Sequence, residues 1–156
     1  MKYSLIVILA FILVLTGCQT NTGIETDTRR DLVRITLSQC IDGDTARFDS
    51  LGRVRFLYID TPEVYPFEEP FGKEAADFTC DMLKSADKIY IEYDGDRQDQ
   101  YERVLGWIWV DDLLLQEELT KAGYVDYFYE YNQPKYKDRI QRAYQQAKRN
   151  KVGLFR

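Results

Sequence analysis

Short segments in which apolar and polar residues alternate restrict this chain to folds that contain β-strands. Val33, Ile35 and Leu37 alternate with polar residues, and the same period of two returns at residues 89–93. Successive side chains of a strand point to opposite faces of its sheet, so this period predicts strands with one buried face. Turn-forming residues bound three further strand-like segments, at residues 45–48, 54–59 and 104–110.

Apolar residues spaced as on one face of a helix follow the third strand and the last strand. They predict a helix at residues 73–86, a second helix that ends at Gly123, and a third that follows Pro134. The order of about three strands, a helix, two strands and two helices predicts a mixed α+β fold. Its expected centre is a five-stranded OB-fold β-barrel, with about three helices around it. Such barrels often bind nucleic acids, but a fold alone is a weak guide to function.

The composition excludes several classes of enzyme. The 156 residues include no histidine. The chain therefore lacks a Ser-His-Asp triad, a Cys-His dyad and an imidazole base or zinc ligand. Hydrolysis must depend on carboxylates, guanidinium groups, hydroxyls or metal-bound water. The length fits one domain, and the formal net charge of −5 argues against broad electrostatic wrapping of nucleic acid but is compatible with a local cationic site.

The N-terminus has the pattern of an export signal. Eleven apolar residues from Leu5 to Leu15 follow Lys2. This run is shorter than the ~20 residues of a transmembrane helix but suits a signal-peptide core. It ends in Leu-Thr-Gly-Cys18, which resembles the lipobox of bacterial lipoproteins, in which the cysteine is lipidated. A plain secretory signal or a short anchor is the alternative.

The lipobox resemblance implies three parts of the chain. Residues 1–17 are expected to be a lipoprotein signal peptide, and residues 18–30 a flexible tether, since they are polar and rich in threonine. Residues 31–156 are expected to form the domain, which a lipid on Cys18 would hold outside the cytoplasm at the cell membrane.

Cys40 and Cys80 are the cysteines within the predicted domain. In an exported protein these two cysteines can form a disulfide. The sequence alone, however, does not show whether their Cα atoms lie within bridging distance. Cys40 follows an alternating apolar run and Cys80 lies in a helical pattern, so we expect two half-buried thiols.

Carboxylates and an arginine collect at predicted strand ends. Asp44 lies in an Asp-Gly-Asp turn, and Asp60 and Glu63 follow the strand that contains Arg55. Carboxylate oxygens suit a hard cation such as Ca²⁺. Taken singly, however, Asp-Gly-Asp is more often a hairpin turn and Asp-Thr-Pro-Glu a strand exit.

Taken together, these segments resemble the thermonuclease family, the staphylococcal-nuclease-like nucleases. The matching segments are Ile41-Asp42-Gly43-Asp44-Thr45, Val54 to Glu63, Phe71-Gly72-Lys73-Glu74-Ala75, Asp99-Gln100-Tyr101-Glu102-Arg103, and Tyr129 with Tyr131 before a basic C-terminal helix. The resemblance spans about residues 32–156, and the ordered set is far more specific than any one piece of it.

The resemblance implies a metal site and a residue that handles water. Asp44, Asp60 and the backbone carbonyl of Thr61 match the family's ligands for Ca²⁺. Glu63 matches the glutamate that orients or deprotonates the attacking water. With no histidine in the chain, Glu63 is also the best-placed base by elimination.

The resemblance also implies contacts with the substrate. Arg55 matches an arginine that contacts the scissile phosphate, and Arg103 one that stabilises the transition state. A guanidinium donates paired hydrogen bonds to phosphate oxygens, which a lysine does less well. Nucleotide contacts are implied for Tyr101, Tyr129 and Tyr131.

The expected function is therefore a Ca²⁺-dependent nuclease, acting as a monomer on DNA, RNA or both and leaving 3′-phosphate ends. Two alternatives are a non-catalytic, OB-type lipoprotein that binds nucleic acid at the cell surface, and a structural or adhesive lipoprotein with a relic site. Domains that have lost catalysis typically lose the acidic residues, so the retained carboxylates and arginines count against both.

Two residues depart from the family pattern. Gln100 replaces a usual basic residue, which weakens one phosphate contact. Glu102 replaces a usual glycine, which can serve a turn that needs a positive φ. We expect Glu102 to pair with the neighbouring Arg103 and so compete with the phosphate for its guanidinium.

The positive charge of the chain is concentrated near its C-terminus. Residues 132–156 carry eight basic side chains and one acidic side chain, Asp138. The favoured interpretation is the solvated face of an amphipathic helix. The alternative is a surface that steers nucleic acid or meets anionic lipid headgroups.

Overall fold

The computed structural model describes residues 26–27, 31–133 and 135–156. The predicted signal peptide and Cys18 lie outside these residues, as does most of the predicted tether. Two residues of that tether, Thr26–Asp27, form a short strand that pairs with residues 32–33, so strand structure begins before residue 31. Within the described ranges, no helix combines the length and apolarity needed to cross a bilayer.

Ten short strands and three helices make up the described chain. The strands are β1 (Thr26–Asp27), β2 (Leu32–Ile35), β3 (Leu37–Cys40), β4 (Thr45–Phe48), β5 (Gly52–Phe56), β6 (Ile59–Asp60), β7 (Ile89–Glu92), β8 (Val104–Val110), β9 (Leu113–Leu114) and β10 (Tyr127–Phe128). The helices are α1 (Gly72–Ser85), α2 (Leu115–Ala122) and α3 (Lys137–Asn150), and a 3₁₀ turn follows at Gly153–Phe155.

The main sheet is mixed and follows the order β1-β2-β7-β8-β5-β4-β3, with β9 on β8. β5 and β8 are parallel, and the other pairings are antiparallel. The strand predicted around residues 33–37 is two strands, which Thr36 alone separates. Because β2 and β3 lie near opposite ends of the strand order, their closeness in the chain makes the sheet curl back on itself as a barrel.

The predicted mixed α+β, OB-type fold is confirmed. β8 is its central strand, and every residue from Leu105 to Val110 is buried. Gln116, at the start of α2, is fully buried against this strand. Its side chain accepts a hydrogen bond from the Ile108 amide at 3.1 Å and donates one to the Gly106 carbonyl at 3.0 Å. These two hydrogen bonds hold α2 against the barrel and satisfy the buried amide group of Gln116.

The expectation of two free thiols is wrong, because Cys40 and Cys80 form a disulfide with a Cα–Cα distance of 5.6 Å. The fold brings the end of β3 against α1. Periodicities among neighbouring residues do not reveal such a contact between distant segments. The disulfide closes a loop between residues 40 positions apart in the sequence. That loop contains β4, β5, β6 and the start of α1.

Removal of this disulfide should lower the free energy of unfolding by about 4 kcal/mol, since the cross-link restricts the unfolded chain. The measurement is urea unfolding of the oxidised protein, the reduced protein and the variant Cys40→Ser/Cys80→Ser. The variant should match the reduced wild type and should not respond to reductant. Equal stability of the oxidised and reduced protein would contradict the prediction.

Candidate active site

Arg55 is the buried centre of the candidate site. It lies on β5 and is 3% exposed. Its Nη1 forms an ion pair with Asp44 Oδ1, and its Nη2 donates a hydrogen bond to Asp60 Oδ1. Burial opposes its positive charge, but the two carboxylates more than compensate and raise the pKa of Arg55 above its usual value. Two of the predicted metal ligands therefore share one guanidinium.

Asp44 lies at the end of the turn before β4, and its side chain is hydrogen-bonded to Thr61, which directly follows β6. Its Oδ1 accepts a hydrogen bond from the Thr45 hydroxyl at 2.9 Å. Its Oδ2 accepts hydrogen bonds from the amide and the hydroxyl of Thr61, at 2.9 Å and 3.2 Å. Four of the predicted site residues, Asp44, Arg55, Asp60 and Thr61, are therefore joined in one cluster.

Close packing holds the turn that carries Asp44. A Cβ at Gly43 would lie 2.8 Å from the Cβ of Ala75, which no side chain tolerates. The Gly43 carbonyl accepts a hydrogen bond from the Thr79 hydroxyl on α1 at 2.6 Å. The residue next to Thr79 is Cys80, whose disulfide leads back to β3. The turn is thus held against α1 by close packing on Ala75 and by the hydrogen bond from Thr79.

Asp42 adds a carboxylate to which the sequence analysis gave no role beyond the turn. Its Oδ1 accepts a hydrogen bond from the Asp44 amide at 3.1 Å. Burial and the neighbouring Asp44 raise the pKa of Asp42 to about 7. The pKa of Asp60 is likewise raised to about 6, chiefly by burial. Asp44 also raises it, whereas Arg55 lowers it. The cluster thus places the carboxyl groups of Asp42, Asp44 and Asp60 around the single guanidinium of Arg55.

The donor set of this cluster fits a hard cation. Asp44 and Asp60 already bind one positive group between them, and the carboxyl group of Asp42 lies beside Asp44. Carboxylate oxygens are the ligands that Ca²⁺ takes. Among the described residues, no three acidic or cysteine side chains are grouped as a complete metal site. The cluster therefore fits a cation that takes two of its ligands from the carboxylates of Asp44 and Asp60 and the others from different oxygen atoms.

Glu63 begins a short loop between β6 and α1. Its amide donates to Glu69 Oε2 and its carbonyl accepts from the Glu69 amide, both at 2.9 Å. Burial and Asp44 raise the pKa of Glu63, while Arg55 and Arg103 oppose this shift. Glu63 therefore lies within electrostatic reach of the Arg55 cluster.

Arg103 is held by Asp99 and not by Glu102, so the predicted pairing of Glu102 with Arg103 is wrong. Arg103 Nε donates to Asp99 Oδ2 at 2.7 Å, and Asp99 Oδ1 accepts the amides of Tyr101 and Arg103 at 2.9 Å. Glu102 has a φ of 60°. At Glu102 the backbone therefore takes a left-handed conformation, which glycine adopts at least cost. This turn brings the side chain of Asp99 to Arg103.

The predicted nucleotide-binding tyrosines lie beside the arginines. Burial raises the pKa of Tyr131, and both Arg55 and Arg103 oppose this shift. Tyr129 is 6.3 Å from the Tyr131 ring and 5.1 Å from the Tyr127 ring, measured between centroids. These three rings form a row, which we call the tyrosine row. Tyr127, to which the sequence analysis assigned no role, extends it.

Tyr101 lies at the edge of the site. Its ring is 5.6 Å from the Arg103 guanidinium, and its side chain is exposed. A small pocket beside it is lined by Tyr101, Tyr131, Asp99 and their neighbours. Cys18, the predicted lipidation site, lies outside the described residues.

Several basic residues near the C-terminus bind carboxylates. Lys135 pairs with Glu92 at 2.9 Å, and Arg139 pairs with Glu117. Lys135 thus joins the segment before α3 to β7, and Arg139 joins α3 to α2.

Comparison with known proteins identifies relatives of this chain. A family model described as staphylococcal nuclease homologue matches residues 53–156. The chain is 37% identical over 135 residues to the SPbeta prophage-derived endonuclease YokF of Bacillus subtilis, and 37% identical over 136 residues to endonuclease YncB of the same organism. Each match covers 81% of this chain, but the chain spans only 45% of the length of YokF and 64% of YncB. It is 38% identical over 122 residues to the thermonuclease of Staphylococcus hyicus, covering 74% of this chain and 71% of that protein.

The raised pKa values predict how stability depends on pH. Asp42 and Asp60 have pKa values of about 7 and about 6 in the folded state, against 3.8 as the usual value. Between pH 4 and pH 7 the folded state therefore holds more protons than the unfolded state, and its stability falls as the pH rises. Each pKa unit corresponds to ~1.4 kcal/mol for each carboxyl group, and partial exposure lessens the full amount, so we expect a decrease of ~2 kcal/mol or more.

Urea unfolding in chelator at a series of pH values measures this decrease. Asp42→Asn keeps the side-chain oxygen that accepts the Asp44 amide and should flatten the profile. Asp112→Asn, at an exposed turn position, is the matched control and should not. Identical profiles for the two variants would contradict the assignment to Asp42.

Proposed function

Because the chain belongs to the family of staphylococcal nuclease homologues, we propose that it is a Ca²⁺-dependent nuclease that hydrolyses phosphodiester bonds of DNA, RNA or both. The observation that carries this proposal is the shared contact of Asp44 and Asp60 with Arg55. Glu63 and Arg103 lie within electrostatic reach of that cluster. The names of the relatives, endonuclease and thermonuclease, support the same reaction.

Asp44, Asp60 and the backbone carbonyl of Thr61 would hold Ca²⁺, and a phosphate oxygen and water would complete its coordination. Bound there, the ion supplies positive charge that offsets the repulsion between an anionic phosphodiester and its nucleophile. Its preference for oxygen ligands agrees with a site that contains no histidine and no free thiol among the described residues.

Glu63 would orient the attacking water and accept its proton. The raised pKa of Glu63 makes its carboxylate a better base than an ordinary glutamate. The water oxygen forms a bond to phosphorus while the bond from phosphorus to the 5′-oxygen breaks. The departing 5′-oxygen takes up a proton from solvent water, so the products are a 3′-phosphate and a 5′-hydroxyl.

The two arginines would stabilise the charge that builds up on the phosphate oxygens during attack. Arg55 is buried, so its hydrogen bonds act in a medium of low polarity. Arg103 is oriented by Asp99, which binds both its side chain and its backbone. The tyrosine row and Tyr101 would contact the sugars and bases on either side.

We further propose that the protein is an exported lipoprotein that acts outside the cytoplasm, attached to the membrane through Cys18. The lipobox-like sequence at residues 15–18 supports the anchor. The Cys40–Cys80 disulfide supports an oxidising environment, since such bonds are rare in the cytosol.

Loss of metal or arginine should abolish or sharply reduce cleavage. Asp44→Ala and Asp60→Ala should eliminate both Ca²⁺ binding, measured by calorimetry, and digestion of nucleic acid. Arg103→Ala should lower kcat by about 100- to 1000-fold, the usual effect of removing one donor to developing charge. Arg53→Ala, an exposed arginine on the same strand as Arg55, is the control and should retain activity.

Digestion in the presence of excess chelator separates the proposed enzyme from a binding module. Full activity under chelation would refute the Ca²⁺ requirement. Binding of nucleic acid without any cleavage, with or without Ca²⁺, would identify a non-catalytic module instead.

The anchor has its own test. Cys18→Ala should release the protein from the membrane fraction or block its processing, because the lipid-bearing thiol is missing. The control Cys40→Ser/Cys80→Ser should stay in the membrane fraction. Unchanged fractionation of Cys18→Ala, with no lipid found on the mature N-terminus by mass spectrometry, would disprove the anchor.

A further inference from the structure

The loop of residues 63–71, here called the aromatic loop, carries the most exposed large apolar side chains of the described chain. Tyr65 is 84% exposed and Phe67 is 82% exposed. Within the described residues, neither ring stacks on another ring or meets a cation. Two aromatic side chains left in water are costly to the folded protein, so they indicate a surface that meets a ligand.

The aromatic loop is held next to the candidate active site. Glu63 and Glu69 close its base through the two hydrogen bonds described above, and the Gly72 amide donates to the Glu69 carbonyl at 2.9 Å. A Cβ at Gly72 would collide with the Glu63 carbonyl, which shows how closely the loop returns to α1. Tyr65 is two residues from Glu63, the proposed base, so their Cα atoms lie within ~7 Å of each other.

The loop also lies on the side of the site that carries the tyrosine row. Its base residue Glu69, together with burial, raises the pKa of Asp126, the neighbour of Tyr127. The Asp126 amide in turn donates to the Asp60 carbonyl at 3.1 Å. The base of the aromatic loop therefore lies near Asp126, which directly precedes the tyrosine row.

The charge of the loop restricts what its rings contact. Residues 63–71 contain three glutamates and no basic residue. These charges repel phosphate groups and anionic lipid headgroups alike. The flat faces of nucleobases carry no charge and stack on aromatic side chains. In a duplex those faces are covered by neighbouring bases, so only unpaired bases offer them.

We propose that Tyr65 and Phe67 form a stacking site for unpaired nucleobases a short distance from the scissile phosphate. The proposal rests on the nuclease function proposed above. It adds a contact through the bases alone to the phosphate contacts made by Arg55 and Arg103.

The test compares an oligonucleotide with an abasic oligonucleotide of the same length, which keeps the phosphates but offers no bases to stack. In the variant Tyr65→Leu/Phe67→Leu, which keeps apolar surface but loses the rings, KM for a single-stranded oligonucleotide of about 10 nucleotides should rise at least fivefold more than KM for the abasic oligonucleotide. The ring-retaining variant Tyr65→Phe/Phe67→Tyr should behave as the wild type. Leu113→Ala, which removes exposed apolar surface on β9, is the control. Equal changes for both substrates, or none, would overturn the proposal.

A binding measurement keeps the outcome independent of cleavage. In excess chelator, Kd for the same oligonucleotide should rise at least fivefold in the leucine variant. If the wild type cleaves neither substrate, the nuclease function fails, and this Kd alone decides the role of the loop. Phosphatidylcholine vesicles distinguish a membrane contact: loss of vesicle binding in the leucine variant, with an unchanged oligonucleotide Kd, would overturn the proposal.

Discussion

The buried ion pairs of Arg55 with Asp44 and Asp60 are the interaction on which the candidate site depends. A guanidinium that is 3% exposed requires carboxylates close to it, because an unpaired charge at that depth would be prohibitive. This requirement brings a turn before β4, the strand β5 and the exit of β6 to one point. The same carboxylates then become available to a cation, and the same arginine to a phosphate.

The rest of the fold holds this cluster in position. The turn with Asp44 is fixed by the contact of Gly43 with α1, by the Thr79 hydroxyl and by the disulfide from Cys40. Carboxylates that repel one another stay together only where such contacts outweigh their repulsion. Burial, and after it this repulsion, raises the pKa values of Asp42 and Asp60. The Ca²⁺ ion proposed above would lessen the repulsion between these carboxylates.

Much of this arrangement could be predicted from the sequence, because its signals are local. Alternation predicted the strands, helical spacing predicted α1, α2 and α3, and the ordered motifs indicated the family to which the chain belongs. The same reasoning failed where a contact depends on the path of the backbone. It left Cys40 and Cys80 unpaired, and it gave Arg103 to its neighbour Glu102 when Asp99, across the turn, holds it. The basic C-terminal helix was predicted, but the pairing of its Arg139 with Glu117 was not.

The sequence by itself determined the residue types on which the chemistry depends: carboxylates, arginines and tyrosines in a chain without histidine. It also determined the order of the main strands and helices, since both periodicities are properties of neighbouring residues. Only the tertiary structure decided which of these groups form pairs, because the path of the backbone selects the partners. This holds for the distant cysteines Cys40 and Cys80 and also for Arg55 and Arg103, whose carboxylates are close in sequence. Tertiary packing likewise left Tyr65 and Phe67 exposed while it buried Tyr58 and Phe56, and no local pattern distinguishes these aromatic residues.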